Sequence, residues 1–468
     1  MVTLVRDYNV RPAGGIFEFR WWRRLTGLGL GLVAVILALS ATPATTIGFQ
    51  ATTLAIAWAG ALLATWQAAR GVGGPATVYL IVLGLFHCGL IIAVALGGTS
   101  MLVGRGDNSW IFRSVAINQA VVAVCACFFA CAVGVLVGQS TPTMRKISLP
   151  AVTISTFERR GVALVGVLGA VVGISLIGYV LATSGGVALL FSGYGSFLEA
   201  VGGSGLLGYG TIVLGFGLAF LVSAGGRYRV AGWILMGVVA VIALPLGLRG
   251  SVLFPAVTLA VIESRRKRLP LLPIAFAGFV GLVLVSVLRQ TRSGGVSSLL
   301  SGSWGPIAPL QGVAEMGYSL YPVVVVQGWM AVGTPPMGGV TLIAPLVRLG
   351  EAVFGGGAPP GASDFRLFNS EIANNVGAIG GSPIAEGIRN GGIGFAIVFL
   401  ALIGYLLARL DRFPVRPLGS ATVGIFLLPL LIDVRNSFAP VLFQWVIGAL
   451  MLLAAYVATL LSRQREVE

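Results

Sequence analysis

Apolar residues in this chain come in runs, each closed by a short polar segment holding Gly, Pro, Arg or Asp. Runs of about 17 to 25 apolar residues match helices that cross the ~30 Å hydrocarbon core of a bilayer at ~1.5 Å rise per residue. Twelve windows fit: 25–43, 51–67, 75–97, 115–138, 161–183, 203–223, 230–248, 250–263, 271–288, 391–410, 416–432 and 438–461. The pattern predicts an all-α polytopic membrane protein whose single membrane domain occupies residues 1–468. Nine spans lie within 25–288, and three more lie within 391–461. Between them, residues 289–390 form one long loop, of a length that usually carries function.

That loop opens with a Ser- and Gly-rich stretch over 289–303 and then holds two apolar stretches, 317–330 and 339–349. Thr334, Pro335 and Pro336 separate the two. Too short or too interrupted to be spans, they are expected to lie in, or dip into, the outer membrane interface as helices.

Composition closes off the soluble classes. With 57% hydrophobic and 10% charged residues and a mean hydropathy of +0.97, there is too little polar surface to cover a water-soluble fold. The first apolar run leads into another after a short turn and lacks a small-residue cleavage site, so it reads as a retained helix rather than a signal peptide. Gly, at 68 of 468 residues, is spread through the runs, where it permits close helix packing.

Charge then orients the helices. Counted loop by loop, 21 of the 30 basic residues fall on every second loop together with both termini. The positive-inside rule places that side in the cytoplasm, both termini included. The other side holds Arg105, Arg113, Arg249, Arg289, Arg292, Arg348, Arg366, Arg389 and Arg435. The net charge of +15 sits largely in short inner loops, where anionic lipid headgroups account for it, so no nucleic-acid partner is expected.

Few residues inside the spans carry chemistry. Cys88, Cys125, Cys127 and Cys131 have neither disulfide-framework nor zinc spacing, and His87, the one histidine, reads as a packed, hydrogen-bonded side chain. No metal or other cofactor is expected.

The strongest candidate chemistry lies where the seventh and eighth spans meet, at Leu248-Arg249-Gly250-Ser251. The eighth span is short, which draws Arg249 below the outer surface at the start of a helix. Free N–H groups, the Ser251 hydroxyl and a guanidinium together suit a phosphate. Arg289, Arg292, Arg348, Arg366 and Arg389 cluster along the same outer loop, and guanidinium forks match phosphate oxygens in pairs. The outer acids are Asp107, Glu199, Glu315, Glu351, Asp364, Glu371, Glu386 and Asp433. Each one alone reads more readily as a partner for a neighbouring Arg than as a catalyst.

These segments resemble the O-antigen polymerase (Wzy) and O-antigen ligase group, over roughly the second half of the chain. The resemblance rests on Leu248-Arg249-Gly250-Ser251 ahead of a short helix ending in Arg265-Arg266-Lys267-Arg268, and on Glu315 to Pro322. It continues through Pro335-Pro336-Met337-Gly338-Gly339 to Arg348, through Ser382 to Gly394 with its acidic residue, Asn, Gly and Gly, and through an Arg-x10-Gly match from Arg366 to Gly377.

The resemblance implies a GT-C-type membrane glycosyltransferase in the bacterial cytoplasmic membrane, with its working site facing outward. Such an enzyme moves a growing glycan from a polyprenyl diphosphate carrier to the end sugar of an incoming lipid-linked repeat unit, with inversion and without metal or nucleotide sugar. It further implies that Arg249, Ser251, Arg289, Arg292, Arg348, Arg366, Arg389 and Arg435 hold diphosphate or glycan. Glu386 or Glu371 is then the base, with Arg249 stabilising the leaving group. Lipid-linked oligosaccharide would be donor and acceptor, and a chain-length regulator would be a protein partner. Absence of His from the outer loop favours polymerase over ligase. A twelve-helix flippase or secondary transporter is the competing class, disfavoured by the scarcity of midspan charges.

Overall fold

The computed structural model describes residues 15–42, 44–66, 73–98, 101, 111–112, 114–141, 156–186, 188, 194–201, 205–267, 269–294, 309–355, 357, 359–377 and 379–464. Every regular element among them is helical: α1 (Gly15–Leu39), α2 (Ile47–Thr65), α3 (Pro75–Gly97), α4 (Ala116–Ser140), α5 (Thr156–Thr183), α6 (Tyr194–Val201), α7 (Gly205–Ala224), α8 (Gly226–Ala243), α9 (Gly250–Arg266), α10 (Leu271–Gly294), α11 (Pro309–Met316), α12 (Leu320–Ala331), α13 (Val340–Val353), α14 (Phe368–Val376), α15 (Pro383–Leu410), α16 (Pro417–Asp433) and α17 (Ala439–Gln464).

Each of the twelve expected windows coincides with a helix. Among the described residues nine helices are long and apolar enough to cross a membrane. The three windows outside that set fall on α9, α10 and α16; α9 and α16 have 17 residues each, about 25 Å at helical rise. The chain is a multi-pass membrane protein.

Hydrogen bonds between helix ends gather one set of them onto a single face. Arg23 donates to Trp66 O past the end of α2, Arg24 to Gln139 Oε1 on α4, and Arg412 to the Gln139 and Thr141 carbonyls. Arg159 donates to Ala224 O, Arg266 to Val222 O and Ser223 O, and Arg265 to Leu410 O and Phe413 O. Ser264 Oγ reaches Gly73 O, and Leu418 N–H donates to Glu158. All of these residues belong to loops that the charge count assigns to one side, and we call this the basic face.

Close approach of helices at glycines builds the core. A Cβ on Gly134 of α4 would collide with Ala401 O of α15, and one on Gly404 with Cys131 O, so the two backbones lie in direct contact. The four cysteines are buried and free, and His87, fully buried, meets Leu83 O at 2.9 Å and Ser382 Oγ at 2.6 Å.

The long loop departs from expectation in its first half. Residues 317–330 were expected at the interface, yet α11, the 3₁₀ turn Gly317–Ser319 and α12 pack inside the protein against α3, α4 and α15. A Cβ on Gly89 would sit 2.7 Å from Val313 O, and Leu320, Val323 and Val326 are fully buried. The uninterrupted apolar run Leu320–Val326 suits protein surroundings on every side. The second stretch, α13, has the amphipathic form of an interfacial helix: Thr341 and Ala344 are buried, while Ile343, Leu346, Leu349 and Val353 are exposed.

Candidate functional site

Arg249 stands at the head of α9 and is largely buried. Its Nη1 donates to Glu315 Oε1 of α11 at 3.3 Å, across 66 residues of sequence. The expected helix-start cradle does not form as drawn. Ser251 N–H is turned back to Leu248 O at 3.1 Å and Val252 N–H to Arg249 O at 3.1 Å, so these donors are engaged within the turn. Ser251 instead joins Leu248 and Pro255 in lining a cavity of about 170 Å³ between α5, α7, α8 and α9. Ile177, Leu181, Leu214 and Leu246 supply apolar wall. Leu248 and Ser251, which flank Arg249 and Gly250 in sequence, therefore both line an oily cavity.

Arg348, Arg366 and Arg389 of the long loop pair with carboxylates. Arg348 Nη1 donates to Asp364 Oδ2 and, at 2.9 Å, to Pro359 O. Arg366 forks onto Glu351, with Nη2 to Oε2 at 2.9 Å, and also holds both oxygens of Asp364. Hydrogen bonds from Arg366 hold the Asp364 carboxyl down at about 2 despite partial burial, with Arg348 adding to the effect. The same guanidinium lowers Glu351. Gly377, the end of the Arg-x10-Gly match, has φ +94° and terminates α14.

Arg389 meets Glu371 of α14 as a buried fork, Nε to both oxygens at 3.0 Å and Nη2 to Oε1 at 2.7 Å. Its Nη1 donates to Pro335 O, and its guanidinium carbon lies 6.0 Å from the Trp329 ring centre. Three arginines and three carboxylates thus neutralise each other along 348–389. Arg389 engages both oxygens of Glu371.

Glu386, the other expected base, sits in a different setting. It is fully buried, with Oε1 accepting from Thr341 Oγ1 at 2.7 Å and Oε2 from Phe438 N–H at 2.6 Å. Asn390 Nδ2 donates to Thr341 Oγ1 at 2.7 Å, and Asn390 Oδ1 accepts from Gly339 N–H at 2.9 Å. Met337 and Gly338 N–H donate to the carbonyls of Arg389 and Asn390, both at 2.9 Å. The two motifs, Pro335 to Gly339 and Ser382 to Gly394, therefore clamp each other. Gly392, at φ +75°, then breaks α15 into two rods, and the second rod is the span expected from residue 391 onward.

Arg435 is half-buried, and its carbonyl accepts from Gly381 N–H at 3.0 Å. Arg289 and Arg292 lie on the last turns of α10, and their side chains fall outside the described residues, as do Arg105, Asp107 and Arg113.

Sequence reasoning gave no weight to Asp433. It ends α16 fully buried, and neither carboxylate oxygen has a hydrogen-bond partner among the described residues. Tyr79 and Glu386 lie close enough for charge interaction with it, and the Tyr79 hydroxyl is likewise without a partner. A lone acid closing the apolar run Leu430-Leu431-Ile432 was the signal available. Compared with known family models, curated proteins and solved structures, the chain has no match.

Proposed function

We propose that this protein is a membrane glycosyltransferase that polymerises polyprenyl-diphosphate-linked oligosaccharide repeat units, working on the face opposite the basic one. The observation that carries this reading is the placement of Arg249. A diphosphate on an isoprenoid tail needs a cation close to an oily cavity, and Leu248 and Ser251, which flank Arg249 and Gly250 in sequence, line such a cavity.

On this reading each residue has a role. Arg249 exchanges Glu315 for the incoming diphosphate and stabilises the charge that grows there as the sugar–diphosphate bond breaks. Glu315, released from that contact, takes the proton of the acceptor hydroxyl as its oxygen bonds to the sugar carbon from the opposite side, which inverts the linkage. Glu386 and Glu371 act as braces. Arg348, Arg366 and Arg389 hold the loop that borders the glycan.

The test is to supply the purified protein with a polyprenyl-diphosphate-linked repeat unit, without nucleotide sugar and with chelator present. A ladder of chain lengths is expected, and Arg249→Ala should cut its rate by about 100-fold or more. An unchanged substrate band from folded wild-type protein defeats the reading.

A second reading has one specific observation in its favour. The full burial of two neighbouring acids, Asp433 at the end of α16 and Glu386 at the start of α15, suits an ion-coupled transporter of the same lipid-linked glycan. Movement of labelled substrate across proteoliposomes without bond formation would select it.

A further inference from the structure

The basic face holds a second cavity that none of the chemistry above uses. It is lined by Thr156, Arg159, Arg160, Gly225, Arg227 and Tyr228, and encloses about 350 Å³. Both α5 and α8 begin at it, at Thr156 and Gly226, so two positive helix ends add to three guanidinium groups.

Two carboxylates lie near that charge. Glu158 accepts the Leu418 N–H at 2.9 Å, and Glu263 is held by Arg229 at 3.2 Å. Arg159 caps Ala224 O through Nε at 2.9 Å, so its Nη nitrogens remain for another acceptor. Behind the cavity Arg266 caps the α7 carbonyls and adds another positive charge. Arg227 lies 5.1 Å from the Tyr228 ring centre, a contact that keeps its charge.

Below the arginines the surface turns apolar. Leu164, Leu168 and Val171 of α5 and Val230, Ile234, Val238 and Val241 of α8 are all exposed, spaced so as to line the two helices that start at the cavity. Polar cationic cup above, greasy helix faces beneath: the pairing matches a diacyl lipid whose headgroup carries a phosphate.

We propose that this cavity binds the headgroup phosphate of an anionic phospholipid from the leaflet on the basic face. The site is separate from Arg249 and is independent of the glycosyltransferase reading. Free inorganic phosphate shares the headgroup chemistry but would leave the apolar α5 and α8 faces unused.

Native mass spectrometry of the full chain, released from neutral detergent, tests this with phosphatidylglycerol, phosphatidylcholine and inorganic phosphate as probes. Phosphatidylglycerol is expected to stay bound through detergent release, phosphatidylcholine to be lost, and millimolar phosphate to leave lipid occupancy unchanged. Arg160→Gln/Arg227→Gln, at exposed positions, should lower phosphatidylglycerol occupancy about tenfold. Arg24→Gln/Arg412→Gln removes the same charge at the end of α4 and should leave it unchanged. Equal loss in both double variants would reduce the effect to net charge and overturn the site. Phosphate that binds alone and displaces the lipid would overturn the lipid assignment.

Discussion

The arginines of the two faces are satisfied in opposite ways. On the basic face Arg23, Arg159, Arg265, Arg266 and Arg412 donate to main-chain carbonyls at or just beyond the ends of α2, α4, α7 and α15. On the other face Arg249, Arg348, Arg366 and Arg389 meet carboxylates. A carbonyl caps a cation without cancelling it, whereas a carboxylate does both. The basic face therefore keeps a standing positive field, suited to an anionic lipid. The other face is close to neutral until an anionic ligand displaces a carboxylate. Exceptions on the basic face include Arg229 with Glu263 and Arg265 with Asp411 at 3.9 Å.

The contrast breaks first at Arg389. Glu371→Gln leaves a buried guanidinium without its counter-charge and should cost about 3–5 kcal/mol in thermal unfolding in detergent. Replacing both partners with apolar residues should recover much of the loss. Glu386→Ala comes next: it strips the acceptor from Phe438 N–H and Thr341 Oγ1, at a cost of about 1–3 kcal/mol. If glycan extension survives that variant at wild-type rate per folded molecule, the brace role is sharpened, and a rate loss beyond the folded fraction would return Glu386 to catalysis.

Arg266→Gln on the basic face should cost only about 0.3–1 kcal/mol, since a helix end near water still has other donors. A loss as large as that of Glu371→Gln would erase the contrast. The smallest effect is expected with pH. Asp364 is depressed from 3.8 to about 2 in the folded protein, so its contribution is complete above 3.8 and fades as pH falls toward 2. Pepsin cleavage within 348–366, normalised to an unfolded substrate, should stay low at pH 4 and rise toward pH 2. A rise already complete at pH 4 would show that the Arg366 contacts are weak in solution.

Much of this was legible in the sequence. The nine helices that, among the described residues, are long and apolar enough to cross a membrane were, because each is a local run of apolar residues of bilayer length. The gathering of Arg23, Arg159, Arg266 and Arg412 on one face was legible too, since parity follows from counting spans. Arg249 was legible as a buried cation at a helix start, but Glu315 as its partner was not, because nothing local links residues 66 apart.

By itself, then, the sequence determined a multi-pass helical membrane protein and the positions of its long apolar helices, both properties of short segments meeting an apolar solvent. Only the tertiary structure decided that α11 and α12 lie in the core, that Glu386 braces three elements, and that Asp433 is buried beside it. Hydropathy cannot separate a helix surrounded by lipid from one surrounded by protein, because both surroundings are apolar. The fate of a charge likewise depends on which distant segment folds against it.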